Sequence, residues 1–515
     1  MKSIVLNSLA LIFLLTATAC DNWLNVNMDD RIMESTLYST NSGYMKALNG
    51  IYIKMNSIYG PDLTCGIIDV MAQYYNVTEN DNHSYKDYKS YRYGNENFES
   101  KNGSIWGAMY ETIANINVLL KHCDGKDAAI RSDYYPIIKG EALALRAMLH
   151  FDLLRLYGPI PEVSNLEVKC IPYVDSESRE IFPYLSAGEV LDKVIRDLND
   201  AAGLLKDTDP IVIEGVVTEI PEDDGTSAND MSYRQLRFNY YAVQGLLARV
   251  NLWKGDKDEA YRIARHEVID KVMKENGRGV FSWATQESYS ATNKEDFMFS
   301  SEVMFALYNS KRTDIYNQLF AKSLTARSRR LTFMGFSLGE DSKVSVLYDD
   351  VNDWRRNMWK VAEPTDAEIK DAEENGYEAK GSLYLDKFKD FDSGANVDGS
   401  EIYRYMLPLI RLSEMYLIAA ECTGDQEEAR QLINELRTHR NCQSLMGSID
   451  VEEVITKEFA KEMIGEGQLF FYYKRLGKEV MISGTSTEED YNMILSNYVW
   501  PLPKAETDKR VELNQ

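Results

Sequence analysis

The sequence predicts a mainly α-helical scaffold of interrupted tetratricopeptide-like helix pairs, broken by irregular loops and short strands. Three observations carry that expectation. Long stretches repeat their apolar residues at helical spacing, two helix junctions share one Gly-Asp logic, and the segments between them lose helical period while gaining aromatics. The chain has 515 residues, 44% hydrophobic and 27% charged, with only 12 Pro, so a large core is within reach and a linker or disordered molecule is excluded.

In chain order, Lys2 precedes an apolar run from Ile4 to Leu15, of signal-peptide length and too short to span a membrane. It closes on Ala17-Thr18-Ala19-Cys20, small residues directly before a cysteine, as in a bacterial lipobox; Ala17 stands where leucine is usual. Residues 1–19 are therefore expected to be a lipoprotein signal peptide, Cys20 the acylated new N-terminus, and residues 20–43 the lipid-bearing spacer. Several acyl chains make a stable anchor where one does not.

Trp106 to His122 places Ile113, Ile116, Leu119 and Leu120 on one helical stripe. Ser132 to Tyr157 reads as a long amphipathic helix, stopped by Gly158-Pro159-Ile160-Pro161. Further helices are predicted over 186–205, 232–254, 257–273, 407–422, 426–440 and 451–475. At Gly255-Asp256 and Gly424-Asp425 the glycine takes the left-handed position that ends one helix and the aspartate caps the next. Glu259 or Glu428 would complete a capping box. Residues 206–231 read as an acidic loop with a short hairpin around Ile211 to Val217. Residues 72–105 and 276–406 are aromatic-bearing insertions, the second with a strand ending at Tyr308.

Composition narrows the function. With 81 acidic against 57 basic residues the formal charge is −24, which repels phosphate backbones and argues against nucleic-acid binding. A mean hydropathy of −0.38 argues against a multi-span membrane protein. The histidines (His83, His122, His150, His266, His439) form no H-E-x-x-H, and no Walker or G-x-G-x-x-G motif occurs. His150 reads as a packed histidine inside its helix. Cys65, Cys123, Cys170, Cys422 and Cys442 show no zinc spacing and read as buried apolar residues. The run Asp390-Phe391-Asp392-Ser393-Gly394 departs from the calcium-loop pattern at its fifth and sixth positions. No catalytic residue, cofactor or metal is expected.

Tyrosine, at 33, is nearly twice phenylalanine, and the excess is dense in one loop: Gln73-Tyr74-Tyr75-Asn76, then Asn80-Asp81-Asn82-His83-Ser84-Tyr85, Tyr88, Tyr91 and Tyr93. Sugars present C–H faces that stack on rings and hydroxyls that need amide, carboxylate or guanidinium partners, and this loop alternates both.

Over nearly its whole length the chain resembles the SusD/RagB family of outer-membrane nutrient-binding lipoproteins. Ala47-Leu48-Asn49-Gly50-Ile51-Tyr52 matches the family's first helix and Ile113 to Leu120 its next. The most specific stretch is Gly140-Glu141-Ala142 with Leu145-Arg146-Ala147, then Phe151, Leu153, Arg155 and Tyr157-Gly158-Pro159-Ile160-Pro161. Ala248 to Asp256 resembles the helix-pair junction, Ile410 to Glu421 the final pair, and Trp500-Pro501-Leu502-Pro503 with Glu506 the closing segment. After Glu466-Gly467 the chain departs from the family, with Leu469 and Tyr472 where Arg and Asp are usual.

The resemblance implies a single SusD-like domain over 44–515, its N-terminal part about 44–230 and its C-terminal part about 231–515. It implies a non-catalytic protein, lipid-anchored on the outer membrane and facing outward, that captures oligo- or polysaccharide and delivers it to a SusC-like TonB-dependent transporter. The lipid anchor would be its only membrane contact. A peptide ligand on the same scaffold, or a glycosidase on a helical frame, are the alternatives. The expected ligand-binding residues are Tyr75, Asn80, Asp81, Tyr85, Tyr88 and Tyr91 from the first insertion, with Arg312, Tyr316 and Trp359 from the second. Trp354, within Asp353-Trp354-Arg355, is read as scaffold.

Overall fold

A computed structural model describes residues 34–77, 82–178, 180–217, 231–272, 279–291, 295–390 and 402–513. Cys20, the signal segment and most of the spacer lie outside the described residues.

The helical frame follows from what each helix must bury. Asn41–Ile58 starts where the Thr40 hydroxyl accepts from the Gly43 amide at 3.2 Å, and its Tyr44 hydroxyl donates to the His122 carbonyl at 3.0 Å. Glu96–Cys123 begins well before Trp106, because the Asn95 side chain caps it by accepting from the Asn97 amide at 2.8 Å. Tyr135–Tyr157 is buried on nearly every side, so its sequence carries apolar residues all round rather than on one stripe. Its polar residues are each tied. Arg146 forks onto Asp197 at 2.7 and 2.9 Å, Glu141 accepts from Arg234 at 2.5 Å and from Tyr52 at 2.6 Å, and Asp152 takes Tyr59 and Arg155. Gly140 has no room for a Cβ against Leu205 of the neighbouring helix Ala187–Leu205, which explains the glycine opening the Gly140-Glu141-Ala142 motif.

The Tyr240–Lys254 helix starts later than residue 232, where Asn239 accepts from the Ala242 amide at 2.9 Å, and Arg249 forks onto Glu414 at 2.7 and 2.6 Å. Both predicted junctions form. Gly255 has φ 90° and Gly424 φ 67°, and Asp256 and Asp425 accept from the first amides of the next helices. The capping boxes are half-made: Glu259 pairs instead with Arg262, and Glu428 accepts from Tyr261 at 2.7 Å, stitching one helix pair to the next.

Three other boundaries differ from expectation. Met406–Arg411 is a strand, paired antiparallel with Val303–Tyr308, before the helix Leu412–Cys422 begins. Pro210–Ile213 is a helical turn rather than hairpin, with Pro210 at its first position and Asp209 accepting from the Ile211 amide; residues 218–230 lie outside the described residues. The expected helix over 451–475 breaks into Val451–Glu462 and Leu469–Arg475. The break is at Gly465 (φ 81°) and Gly467 (φ 66°), whose amides donate to the buried Asp69 at 2.6 and 3.2 Å. A Cβ on Gly467 would clash with the Leu63 carbonyl. Gly467→Ala is therefore expected to cost about 1–3 kcal/mol, read as a lower urea midpoint at unchanged slope.

The second insertion builds a small three-stranded sheet in the order Thr332–Phe333, Ser382–Leu385, Trp359–Ala362. It packs on the helical frame, and one hydrophobic core runs from Tyr44 to Trp500.

Candidate ligand-binding surface

The two insertions singled out from sequence meet. The Asn76 amide donates to the Thr332 carbonyl at 2.7 Å and the Ser84 amide to the Ser328 carbonyl at 3.0 Å. His83 fastens the same seam: its Nδ1 accepts from the Tyr85 amide at 3.1 Å, which leaves Nε2 to donate to the Arg330 carbonyl at 3.3 Å.

At that seam most of the expected binding residues turn inward. Tyr75 is buried between Phe320 and Phe333, and Phe333 stacks on the equally buried Trp359 at 3.6 Å. Tyr88 packs on Phe98, and the Tyr91 hydroxyl donates to the Met71 carbonyl at 2.5 Å while accepting from Gln73 at 2.9 Å. Arg312 is buried, donating to the Tyr403 carbonyl at 2.6 Å. These five are core residues in the structure and present no open face to a ligand. The reason is physical: an irregular segment has no helical stripe with which to hold itself to the body, and buried rings do it instead.

Tyr85 and Tyr316 are half-buried. The Tyr316 phenol lies against Tyr384 and Asp386, whose carboxyl is raised by burial and pulled back by Lys389 and Lys360. Asn80 and Asp81 lie outside the described residues. Trp354 packs on Tyr289 at 5.4 Å beside the buried Asp353–Arg355 pair, as a scaffold residue would.

Among the described residues the exposed rings are Tyr308, 45% open at the end of its strand, and two on the loops of the small sheet. Phe336 is 54% exposed and Tyr377 39%, with Val361 and Leu338 also open. They gather on the loops of the small sheet: Gly381 lies against both the Val361 side chain and the Phe336 carbonyl, and Gly335, at φ 119°, turns the chain beside Ser342 and Leu383. Each ring carries a cation. Lys380 Nζ is 4.9 Å from the Phe336 centroid, and the Arg327 guanidinium is 4.9 Å from that of Tyr377. Asp371 accepts from Arg327 at 3.2 Å and from the Tyr377 hydroxyl. Lys322 and Arg329 stand exposed on the adjoining turn.

These loops offer two exposed rings, one beside an ammonium and the other beside a guanidinium and a carboxylate. Phe336 and Tyr377 did not stand out in the sequence because each is a lone ring in a polar, glycine-punctuated run, Met334-Gly335-Phe336-Ser337-Leu338-Gly339 and Asn375-Gly376-Tyr377. Isolation between turn residues is the signal for an exposed ring, whereas clustered tyrosines mark a packed one.

His150 is buried, with its basicity pushed down to about 3 by burial against the opposing pull of the Arg146 carbonyl, and it stacks on Tyr173 at 3.8 Å. Its Nε2 accepts from the Val174 amide at 2.9 Å, so Nδ1 donates to the Arg146 carbonyl, also at 2.9 Å, and both nitrogens are used. Burial likewise raises the Cys65, Cys123, Cys170, Cys422 and Cys442 thiols, as expected of packed cysteines. Asp390 forks onto Arg404 at 2.8 and 3.0 Å, and residues 391–401 lie outside the described residues. Among the described residues no group of three His, Cys, Asp or Glu could hold a metal, and no helix is long and apolar enough to cross a membrane.

Paired helices carrying loop insertions, with exposed rings and charges on those insertions, define the helical scaffold. Residues 22–214 match a SusD-like family described as starch-binding and associating with the outer membrane, and residues 213–515 match the SusD family. The chain belongs to the SusD family. A SusD superfamily protein from Bacteroides thetaiotaomicron VPI-5482 superposes with a TM-score of 0.66 at 22% identity, over 91% of this chain and 98% of that one. A laminarin-binding SusD-like protein gives 0.59 at 16%, over 91% and 98%. Surface glycan-binding protein A from Bacteroides thetaiotaomicron gives 0.59 at 15%, over 93% and 99%. These likenesses show a shared fold. No curated protein matches the chain by sequence.

Proposed function

We propose that this chain is a cell-surface, non-catalytic glycan-binding lipoprotein that captures oligo- or polysaccharide and hands it to a partner TonB-dependent outer-membrane transporter. In this reading Cys20 carries the lipid and the loops of the small sheet carry the ligand. The observation that supports it is the pair of exposed rings, Phe336 and Tyr377, each set beside a cation on the loops of the small sheet. Such a surface holds each sugar by stacking plus a few hydrogen bonds, weak enough per site for the ligand to be passed on. Family membership supports the carbohydrate class and the transporter partner. Tyr85 and Tyr316, half-buried, stay in the proposed ligand set, with Asn80 and Asp81 of the first insertion.

The test is affinity electrophoresis of residues 21–515 against a polysaccharide panel and an oligopeptide mixture. Retardation by one glycan is expected, weakened roughly tenfold in Phe336→Ala/Tyr377→Ala, since each ring contributes about 0.5–1.5 kcal/mol. The doubly substituted protein should keep its melting temperature. Retardation that survives in it would move the site elsewhere, and retardation by peptides alone would end the glycan reading.

A further inference from the structure

Buried charge in this protein is nearly always well partnered, and the exceptions point to a site. Five lysines are buried among the described residues. Lys387 donates to the Ile464 carbonyl at 2.9 Å and to Glu466 at 2.6 Å, and Lys461 to Asp349 at 2.6 Å and Glu458 at 3.1 Å. Lys474 donates to the Arg155 and Leu156 carbonyls at 2.6 and 3.2 Å. Lys89 and Lys343 are different. Lys89, 5% exposed, has a single 3.4 Å contact with the Tyr75 carbonyl, and Lys343, 4% exposed, a single 3.4 Å contact with the Ser486 carbonyl. Neither has a carboxylate within 4.0 Å among the described residues. An ammonium has three donors, and 3.4 Å is beyond the usual hydrogen-bond range, so most of their capacity is unfilled.

The two lysines share one place. Lys89 ends the short helix Lys86–Lys89, and Lys343 opens the helix Lys343–Leu347, with its amide on the Met334 carbonyl at 2.8 Å. One segment covers both: Ser486 takes Lys343, Gly484 packs on the Tyr75 carbonyl that takes Lys89, and the Tyr491 ring lies 5.9 Å from Lys89 Nζ. Gln73, fully buried and donating to the Lys89 carbonyl at 3.1 Å, leaves its Oε1 unpartnered. Both ammoniums are thus withdrawn from water with no carboxylate in ion-pair contact, Asp490 acting on Lys343 only from beyond salt-bridge range, an arrangement that is costly unless an anion completes it.

We infer that Lys89 and Lys343 form an oxyanion site, taking a carboxylate, sulfate or phosphate group. Such a group accepts charge-assisted hydrogen bonds from both ammoniums and supplies the missing counter-charge. The anion is either free in solution or a uronate or sulfate substituent of a captured glycan, and only the second source rests on the glycan reading. Without an anion, burial and the neighbouring Lys343 push Lys89 down to about 7, while Asp490 draws Lys343 back towards its charged form. The Tyr491 ring lies over Lys89, and the Tyr75 and Tyr91 phenols belong to the same buried cluster.

The test is the melting temperature of the full chain in sodium sulfate, phosphate or glucuronate, each against sodium chloride of equal ionic strength. Wild type is run beside Lys89→Met/Lys343→Met. Sulfate and phosphate stabilise any fold by exclusion, so the difference between the two proteins is the readout. At least one anion is expected to raise the melting temperature of wild type by about 2 °C more than it raises that of Lys89→Met/Lys343→Met. Equal shifts in the two proteins with all three anions would overturn the site. Should the doubly substituted protein not fold, calorimetric titration of wild type with the same anions replaces it. Binding is expected at pH 6 and roughly tenfold weaker at pH 9, where a lysine of lowered basicity has lost its proton; no binding, or equal affinity at both pH values, would overturn the proposal. To identify the source, a uronate-bearing polysaccharide is compared with its carboxyl-reduced form by affinity electrophoresis. A preference for the acidic form that Lys89→Met/Lys343→Met loses assigns the anion to a glycan. An anion shift with no such preference assigns it to a free ion, and an anion shift with no glycan bound at all leaves the site standing and removes the glycan reading.

Discussion

Glu462→Gln is expected to lower the unfolding free energy by about 3–5 kcal/mol at neutral pH, the usual effect of removing one partner from a buried ion pair. Glu462 is fully buried at the centre of a charge network. It accepts from Arg440 at 2.5 and 3.1 Å, from Arg411 at 2.7 Å and from Arg355 at 3.0 Å. Around it Glu302 takes Arg440 at 2.7 Å, Glu466 takes Arg411 at 2.9 Å and Lys387 at 2.6 Å, and Glu458 takes Arg355 at 2.9 Å and Arg437 at 2.5 Å. An amide in place of the carboxylate leaves three buried guanidiniums short of an anion. Urea titration at pH 7 measures the loss.

The same network sets a pH signature. Burial alone would raise the Glu458 carboxyl, but Arg355, Lys461 and Arg437 overcome it and hold it down to about 2. Burial is likewise outweighed at Glu462 by Arg440 and Arg411, which keep it well below its ordinary value. Carboxyls depressed in this way contribute stability that is present above the unfolded value near 4.5 and is lost as pH falls through the folded one. The gap between wild type and Glu462→Gln should therefore be full at pH 7 and narrow only below about pH 4.5. A gap that stays constant down to pH 2 would show that the network's charges do not carry the effect.

Trp359→Ala is the second large effect, expected to cost about 3–5 kcal/mol, as for other buried tryptophans. Trp359 stacks on Phe333, and Phe333 meets Tyr74 and Tyr75, so one deletion opens the wall between the small sheet and the first insertion. Phe336→Ala, on the exposed side of the same sheet, should stay within about 0.5 kcal/mol of wild type. The pair separates scaffold from ligand surface. If Trp359→Ala keeps wild-type stability while losing glycan binding, the tryptophan is a contact residue after all and the inward assignment is wrong.

Much of the frame was legible because helices announce themselves locally. The Gly140–Pro161 motif, the Gly-Asp junctions and the strand ending at Tyr308 all depend on residues near one another in sequence, and the structure contains each. The misread boundaries have non-local causes. The strand Met406–Arg411 exists because Val303–Tyr308 is there to pair with it. The helix over 451–475 breaks because Asp69, far away in sequence, takes the Gly465 and Gly467 amides. The family departure at Leu469 and Tyr472 has a simple physical content: both are buried, and Tyr472 stacks on Phe459 at 4.5 Å where the family pattern places charge.

By itself, then, the sequence determined the helical class, the family and the two insertions that come together, because periodicity, capping and turn chemistry are written within a few residues. It could not tell which tyrosines are walls and which rings are ledges. A ring's chemistry is the same in both roles, and only packing decides which face meets water. Tertiary structure alone buried Tyr75, Tyr88, Tyr91 and Trp359, exposed Phe336 and Tyr377, and brought Lys89 and Lys343 under one segment with no carboxylate in ion-pair contact.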